Sequence, residues 1–135
     1  MISRQQALLG TETLLLVALG AFGGANGRYF ISLLIDSTLM STAVVNIIGS
    51  FALGALTQEA QLVGIVSRRS HRILGTGFLS SFTTYSSFVI DAVTATPALG
   101  VLYILGSYVL GFTGAILGHQ TVLRLSTADT VGSEA

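Results

Sequence analysis

The densest cluster of chemically capable side chains in this sequence is a run of hydroxyl groups in its third apolar stretch. Seven of the nine residues in the run carry a hydroxyl. The run reads Ser80-Ser81-Phe82-Thr83-Thr84-Tyr85-Ser86-Ser87-Phe88. Ser and Thr side chains compete with helical hydrogen bonds, so the run predicts a break in the helix. Carbonyl groups freed by such a break can bind a cation. The alternative is that the small side chains only permit tight helix packing.

A second polar site lies in the second apolar stretch, where Thr42, Asn46 and Ser50 are spaced four residues apart. That spacing places the three side chains on one face of a helix. The Asn46 amide carries two N–H donors, which suit an anion. The alternative is an ordinary hydrogen bond from Asn46 to a neighbouring helix.

A single arginine, Arg28, lies near the end of the first apolar stretch. A cation at the mouth of a pore concentrates anions there. The alternative is that Arg28 extends along the helix to reach lipid headgroups.

Side chains suited to covalent or acid–base chemistry are sparse. His71 and His119 lie at the ends of apolar stretches, and Asp91 is the only acid well inside a predicted helix. The sequence contains no cysteine, which excludes disulfides and thiolate metal sites. These features predict a protein that is not an enzyme.

The composition indicates a protein surrounded by lipid. Charged residues make up 9% of the chain and hydrophobic residues 51%, whereas a soluble domain carries about 25% charged residues. The formal net charge is zero, so the chain has no basic surface for nucleic acid. We therefore predict an integral membrane protein with membrane lipid as its surroundings.

The elements that must position the polar sites are four apolar stretches. A membrane-spanning helix needs about 20 apolar residues, and the predicted spans are 14–35, 39–57, 73–95 and 98–120. A polar loop, 58–72, joins the second span to the third, and 125–135 is predicted to be a flexible tail. Residues 1–135 thus form a single all-α membrane domain.

Arginine and lysine residues set the orientation of a membrane protein. In a four-span chain, the two termini and the middle loop lie on the same face of the membrane. That face carries five arginines: Arg4, Arg68, Arg69, Arg72 and Arg124. The other face carries only Arg28. Both termini are therefore predicted to be cytoplasmic.

Three segments carry motifs in a fixed order. Residues 20–29 read GAFGGANGRY, residues 41–54 read STAVVNIIGSFALG, and residues 77–88 read GFLSSFTTYSSF. These segments resemble the patterns GGxxGAxxRY, GTxxVNxxGSFxxG and GFCGGFTTFSTF of the fluoride channels known as Fluc or CrcB. Members of that family are small four-helix proteins that pair antiparallel.

The resemblance implies a cation site at the centre of the dimer. The backbone carbonyls of Ser80 and Thr83 would bind a structural sodium ion. Two departures from the family pattern bear on the site and its surroundings. Ser80-Ser81 replaces Gly-Gly, which matters if the family break requires a positive φ, and Tyr85 replaces a phenylalanine.

The resemblance also implies a fluoride path lined by the ring edges of Tyr85 and Phe88. Asn46 and Ser107 would contribute polar groups to it, and Arg28 would be the arginine of the entrance vestibule. Thr42 and Thr84, from the polar stripe and the hydroxyl run, are predicted to line the same path.

The function implied is fluoride-selective conduction, by which fluoride leaves the cytoplasm passively and its toxicity is relieved. The partner is a second copy of the chain or a paralogous subunit, and the arginine bias favours the paralogue because it fixes one orientation. One alternative is a pairing subunit without a pore of its own. Another is a small multidrug exporter, whose helix 1 carboxylate has only Glu12 as a counterpart, before the apolar span.

Overall fold

The computed structural model describes residues 4–62, 64 and 66–132, and every regular element among them is helical. The elements are helix α1 (Arg4–Leu34), helix α2 (Thr38–Leu62), helix α3 (Arg68–His71), a π-helical segment (Arg72–Leu79), helix α4 (Ser80–Phe82), helix α5 (Tyr85–Thr94) and helix α6 (Pro97–Gly132). The elements from α3 to α5 follow one another along the third apolar stretch.

Four segments of the described chain are long and apolar enough to cross a membrane. They are Leu9–Leu34, Thr38–Leu62, Arg69–Thr94 and Pro97–Thr127. Large apolar side chains on them, such as Phe22, Leu105 and Phe112, are mostly exposed. Lipid tolerates such a surface and water does not. The prediction of an all-α chain with four membrane-capable helices is confirmed.

The helices are longer than the predicted spans. Helix α2 continues to Leu62 rather than ending at 57, and α6 continues to Gly132, through most of the segment predicted to be a flexible tail. Residues 133–135 of that segment lie outside the described residues. Hydropathy marks where the chain leaves hydrocarbon, whereas a helix ends where its hydrogen bonding ends.

The connection between the second and third spans is shorter than the predicted polar loop 58–72, because helices enter it from both sides. Gly64 has a φ of 61° and donates its N–H to the Glu59 carbonyl at 2.9 Å. This left-handed conformation at a helix C-terminus favours glycine, which has no Cβ. The Glu59 carboxylate also accepts a hydrogen bond from the Val66 amide at 2.7 Å, which ties the connection to α2.

Short turns join the other neighbouring spans. The Ser37 hydroxyl accepts a hydrogen bond from the Met40 amide at 3.3 Å and caps the N-terminus of α2. Pro97 is the first residue of α6, where its missing N–H leaves no helical bond unmade. Such short turns make the helices on either side of each turn antiparallel neighbours.

Glycines allow α2 and α6 to pack backbone to backbone. A Cβ at Gly54 would collide with the Ala115 carbonyl, and a Cβ at Gly118 would collide with the Phe51 carbonyl. Close approach of this kind is how helices associate in lipid, where the hydrophobic effect between helices is absent. The contact between α2 and α6 is therefore the scaffold of the fold.

Helix α1 packs against the π-helical segment in the same manner. A Cβ at Gly24 would collide with the Phe78 carbonyl, and a Cβ at Gly77 would lie 2.7 Å from the Val17 carbonyl oxygen. The glycine spacing in helix 1 thus serves helix packing. The polar backbone groups between helices α4 and α5 are bound instead by side chains of α1 and α2, as described below.

Candidate functional site

Two residues with extended backbone lie between helices α4 and α5. Thr83 has φ −78° and ψ 159°, and Thr84 has φ −149° and ψ 121°. The Thr84 hydroxyl accepts a hydrogen bond from the Ser87 amide at 3.2 Å and so caps the N-terminus of α5. Thr83 and Thr84 are called the extended pair below.

Asn46 of α2 holds the extended pair through its side-chain amide. Its Nδ2 donates to the Thr84 carbonyl at 3.0 Å, and its Oδ1 accepts from the Thr84 N–H at 2.8 Å. The amide therefore pairs with Thr84 much as a neighbouring β-strand would. It satisfies backbone groups that have no helical partner. One N–H of the amide is left for another acceptor.

Arg28 of α1 reaches the same segment. Its Nη1 donates to the Thr83 carbonyl oxygen at 3.5 Å, a long hydrogen bond, and the side chain is half-buried. The two residues of the extended pair are thus bound by polar side chains of two different helices, Arg28 from α1 and Asn46 from α2.

Three linked grooves on the surface of the chain contain all the predicted site residues. Asn46 lines both the first and the second groove, and Thr84 lines both the second and the third, so the grooves are neighbours around the extended pair. The predicted residues are Asn46, Tyr85, Phe88 and Ser107 in the first groove (about 320 Å³); Asn46, Ser80, Thr83, Thr84 and Tyr85 in the second (about 390 Å³); and Arg28, Thr42 and Thr84 in the third (about 380 Å³).

The first groove has an aromatic wall. The buried Phe88 ring lies 5.8 Å from the Tyr85 ring and 6.0 Å from the Tyr108 ring, and the Tyr108 contact is edge-on at 86°. Ring edges carry partial positive charge and can face an anion. Tyr85 is 72% exposed, so this wall is open on one side of the chain.

The third groove carries both signs of charge. Arg28 and Asp91 line it together with the buried hydroxyls of Thr42 and Thr84. Asp91 has no predicted role, although its Oδ2 is buried and makes no hydrogen bond to any described residue. The sequence does carry a signal for it, because Asp91 is the only acid well inside the third apolar stretch. It follows Phe88 by almost one helical turn.

Tyr103 of α6 is a second residue without a predicted role. It is 6% exposed, and its ring lies 5.3 Å from the Phe88 ring. The Asp91 carboxylate and the Ser107 hydroxyl are the electrostatic neighbours of its phenol. Within the described chain, neither the Tyr103 nor the Ser107 oxygen finds a partner in hydrogen-bonding geometry. Buried polar groups without a partner are uncommon in folded proteins, so these two oxygens mark an unusual part of the chain.

The second groove is lined by Ser80 and Thr83, whose carbonyl groups the family resemblance implies as cation ligands. Ser80 has helical angles, φ −62° and ψ −31°, and no described residue other than glycine has a positive φ. Serine at this position therefore brings no backbone strain. The Thr84 amide, four residues after Ser80, donates to Asn46 instead of to the Ser80 carbonyl. The Ser80 carbonyl thus lacks its usual helical partner, and the Thr83 carbonyl accepts the long bond from Arg28. Carbonyl oxygens of this kind are the groups that bind a cation in discontinuous membrane helices.

Comparison with protein-family models identifies one match. The chain matches the family described as CrcB-like protein, Camphor Resistance (CrcB), over residues 15–119. The matched range contains every predicted site residue, from Arg28 to Ser107. The grooves described above therefore lie within the part of the chain that the family shares.

Relatives of similar length carry the name of a fluoride channel. The Fluoride-specific ion channel FluC 1 of Haloarcula marismortui is 45% identical, over 85% of this chain and 89% of the relative. The protein of the same name from Natronomonas pharaonis is 37% identical, over 79% of this chain and 91% of the relative. The Fluoride-specific ion channel FluC 2 of Halobacterium salinarum is 40% identical, over 77% and 81%. This chain therefore belongs to the CrcB family.

Proposed function

We propose that this chain forms a fluoride-selective ion channel, through which fluoride leaves the cytoplasm passively and fluoride toxicity is relieved. The observation that carries the proposal is that four of the predicted path residues line the same groove. Asn46, Tyr85, Phe88 and Ser107 all line the first groove of a chain whose relatives are named fluoride-specific channels. A channel makes and breaks no covalent bonds, so this function requires no catalytic residue.

The first groove offers the groups that a dehydrated anion requires. Moving a small, strongly hydrated anion out of water is costly unless hydrogen-bond donors replace the lost water. The remaining N–H of Asn46, the Ser107 hydroxyl and the aromatic edges supply such groups. None of them carries a full charge, which suits conduction, because a site that binds too tightly does not release its ion.

The third groove serves as the vestibule in this proposal. Arg28 raises the local concentration of fluoride there. The hydroxyls of Thr42 and Thr84 then lead the ion toward Asn46, which borders the next two grooves. The path therefore runs past the extended pair and into the aromatic groove.

The extended pair is, in this proposal, a break of the third span at mid-membrane depth. Its position inside the segment Arg69–Thr94, with helices on both sides, supports this assignment. Non-helical backbone survives at that depth only when its polar groups are satisfied or line a wet cavity. The bonds from Asn46 and Arg28 meet that requirement.

A sodium ion bound by the carbonyl groups of Ser80 and Thr83 would be structural in this proposal and would not be transported. The proposal is supported by the type of ligand, because both groups are carbonyl oxygens that lie outside regular helical hydrogen bonding. A fixed cation near the path offsets part of the cost of desolvating an anion. Replacing sodium by a large organic cation is expected to lower the stability of the dimer or the fluoride flux. Indifference of both to sodium would remove the ion from the proposal.

The working unit proposed here is an antiparallel dimer in lipid. The grooves open on the surface of the single chain, and Tyr85, Ser80 and Ser86 are exposed. Polar groups at a lipid face are costly, and a second subunit would cover them. The arginine count of five against one favours a paralogous subunit over a second copy, with both termini of this chain in the cytoplasm.

Reporters fused to the carboxyl terminus test the orientation and the pairing. A reporter active on only one side of the membrane should signal a cytoplasmic terminus in essentially all molecules. A mixture of both orientations in cells that express this gene alone would refute the heterodimer. It would support a homodimer whose copies insert both ways.

Fluoride efflux from liposomes tests the function. The purified protein, with any partner it requires, should empty fluoride from vesicles and leave chloride largely trapped. Equal efflux of the two halides would contradict selectivity. If efflux depends entirely on the groove residues of a partner, this chain is a pairing subunit without its own pore.

A small multidrug exporter is disfavoured by the surroundings of Glu12. The sequence places this acid before the apolar span, whereas the membrane-capable segment begins at Leu9 and includes it. Glu12 nevertheless forms an exposed ion pair with Arg69 near the end of that segment, which does not match a lone carboxylate at the membrane centre.

A further inference from the structure

The Thr83 carbonyl has two cationic partners to consider, the Arg28 guanidinium and the proposed sodium ion. It is one of the two carbonyl groups proposed to bind sodium, and it already accepts a hydrogen bond from Nη1 of Arg28 at 3.5 Å. Thr83 has extended backbone angles, so its carbonyl lies outside the helical hydrogen-bond pattern. A half-buried carbonyl of this kind requires a donor, and Arg28 supplies one that carries a full positive charge.

A guanidinium group and a sodium ion repel each other strongly at the separation that one carbonyl oxygen imposes. We propose that Arg28 and sodium compete for the Thr83 carbonyl, so that binding of the ion displaces the guanidinium. This inference rests on the proposed sodium site. It concerns Arg28 as a residue that positions the extended pair, in addition to its proposed role in the vestibule.

The structure provides a second location for the displaced guanidinium. Arg28 also lines the third groove, a space of about 380 Å³ that includes the Asp91 carboxylate. The buried Oδ2 of Asp91 makes no hydrogen bond to the described residues. A guanidinium that leaves Thr83 therefore finds an acceptor of opposite charge in the same groove. Binding of sodium at the extended pair therefore changes where the positive charge of Arg28 lies in the vestibule.

Thermal stability measured against sodium concentration tests the competition without relying on ion flux. The full chain, purified with any partner it requires, is melted at increasing sodium, with N-methylglucamine keeping the ionic strength constant. The variants are Arg28→Gln, Arg28→Lys and, as a control that removes an exposed arginine of α6, Arg124→Gln. Sodium should raise the melting temperature of the wild type with a defined midpoint concentration.

Arg28→Gln should reach the same half-maximal effect at a sodium concentration at least about tenfold lower, because one charged hydrogen bond is worth about that factor. Arg28→Lys keeps the charge but loses the fork of donors, so its midpoint should lie between the two. Arg124→Gln should match the wild type.

Equal midpoints for the wild type and Arg28→Gln would overturn the competition. Loss of the sodium effect in Arg28→Gln would also overturn it, because Arg28 would then support the ion. Absence of any sodium effect in all proteins would remove both the sodium site and the competition. If Arg28→Gln does not fold, a midpoint for Arg28→Lys at or above the wild-type value contradicts the proposal.

Fluoride efflux from the same preparations separates this inference from the proposed function. Normal fluoride efflux from the wild type, together with an unchanged sodium midpoint in Arg28→Gln, overturns only the competition. A shifted midpoint in Arg28→Gln, together with a wild type that passes no fluoride, overturns the channel and leaves the competition standing.

Discussion

The contact between α2 and α6 differs from the extended pair in how it satisfies the backbone. At the first, Gly118 leaves no side chain between the helices, and the Phe51 carbonyl fills the space. At the second, Asn46 reaches from α2 and pairs with the backbone of Thr84. The α2–α6 contact depends on the absence of a side chain at Gly118 and keeps both helices regular. The extended pair depends on the Asn46 side chain, which replaces helical hydrogen bonds. Substitutions at the first should therefore affect stability, whereas substitutions at the second should affect ion passage or, where they remove the cap of α5, local stability.

Asn46→Asp should have the largest effect, on fluoride flux. Aspartate keeps an acceptor for the Thr84 N–H, but it cannot donate to the Thr84 carbonyl and it places a negative charge in the proposed anion path. Like charges brought together cost several kcal/mol, so flux in liposomes should fall by about 100-fold or more. The protein should still fold and assemble, because α2 and α6 pack through glycine, but the unpaired Thr84 carbonyl should lower the melting temperature modestly. Normal flux would show that the Asn46 stripe only packs helices.

Gly118→Ala should have the next largest effect, on stability. Its Cβ would collide with the Phe51 carbonyl, and overpacking of this kind costs about 1–3 kcal/mol. The matched control on the same helix is Gly106→Ala, since a Cβ at Gly106 meets no atom within 4 Å. Thermal melting in detergent should show a lower transition only for Gly118→Ala. Equal melting of the two variants would mean that the α2–α6 contact is not the scaffold.

Thr84→Val tests the local cap within the extended pair. Valine keeps the backbone bonds to Asn46 and removes the hydroxyl that accepts from the Ser87 amide. Loss of an N-cap costs about 1 kcal/mol. The control is Thr113→Val, because the Thr113 hydroxyl is exposed and only bonds the preceding turn of its own helix. Unfolding in denaturant should distinguish the two variants, and a cost at Thr113 as large as at Thr84 would contradict the cap.

Tyr85→Phe should have the smallest effect. The ring edge, which the substitution keeps, lines the first groove beside Phe88. Fluoride efflux should therefore change by less than about fivefold, which is the contribution of one neutral hydrogen bond. A tenfold loss would show that the hydroxyl itself donates to the ion.

The sequence predicts the four membrane-capable helices, because hydropathy is a local signal. The residues predicted for the site all line the three grooves, although Thr42, predicted for the fluoride path, lies in the same groove as Arg28. The bond between Asn46 and Thr84 has no local signal, since the two residues are 38 positions apart. The π-helical segment is also unpredicted. It packs closely against the glycines of α1, and a contact between two separate segments has no signal within either of them.

Asp91 and Tyr103 illustrate another limit of prediction. An acid inside an apolar helix is unusual, but the sequence alone does not show which groups surround Asp91 or Tyr103. Their position beside Phe88 and Ser107 is seen only in the packed chain. Helix ends differ from span ends for a different reason. Apolar patterns report the thickness of the hydrocarbon, whereas the hydrogen bonds of α6 continue to Gly132.

The length of α6 has a geometric consequence outside the membrane. A helix rises 1.5 Å per residue, so the 36 residues of α6 extend about 54 Å, whereas the hydrocarbon core is only about 30 Å thick. Roughly 20 Å of α6 must therefore project beyond the hydrocarbon, unless the helix is steeply tilted. A protein fused after Gly132 would be carried on this rod at a distance from the lipid, which offers a rigid handle for imaging so small a membrane protein.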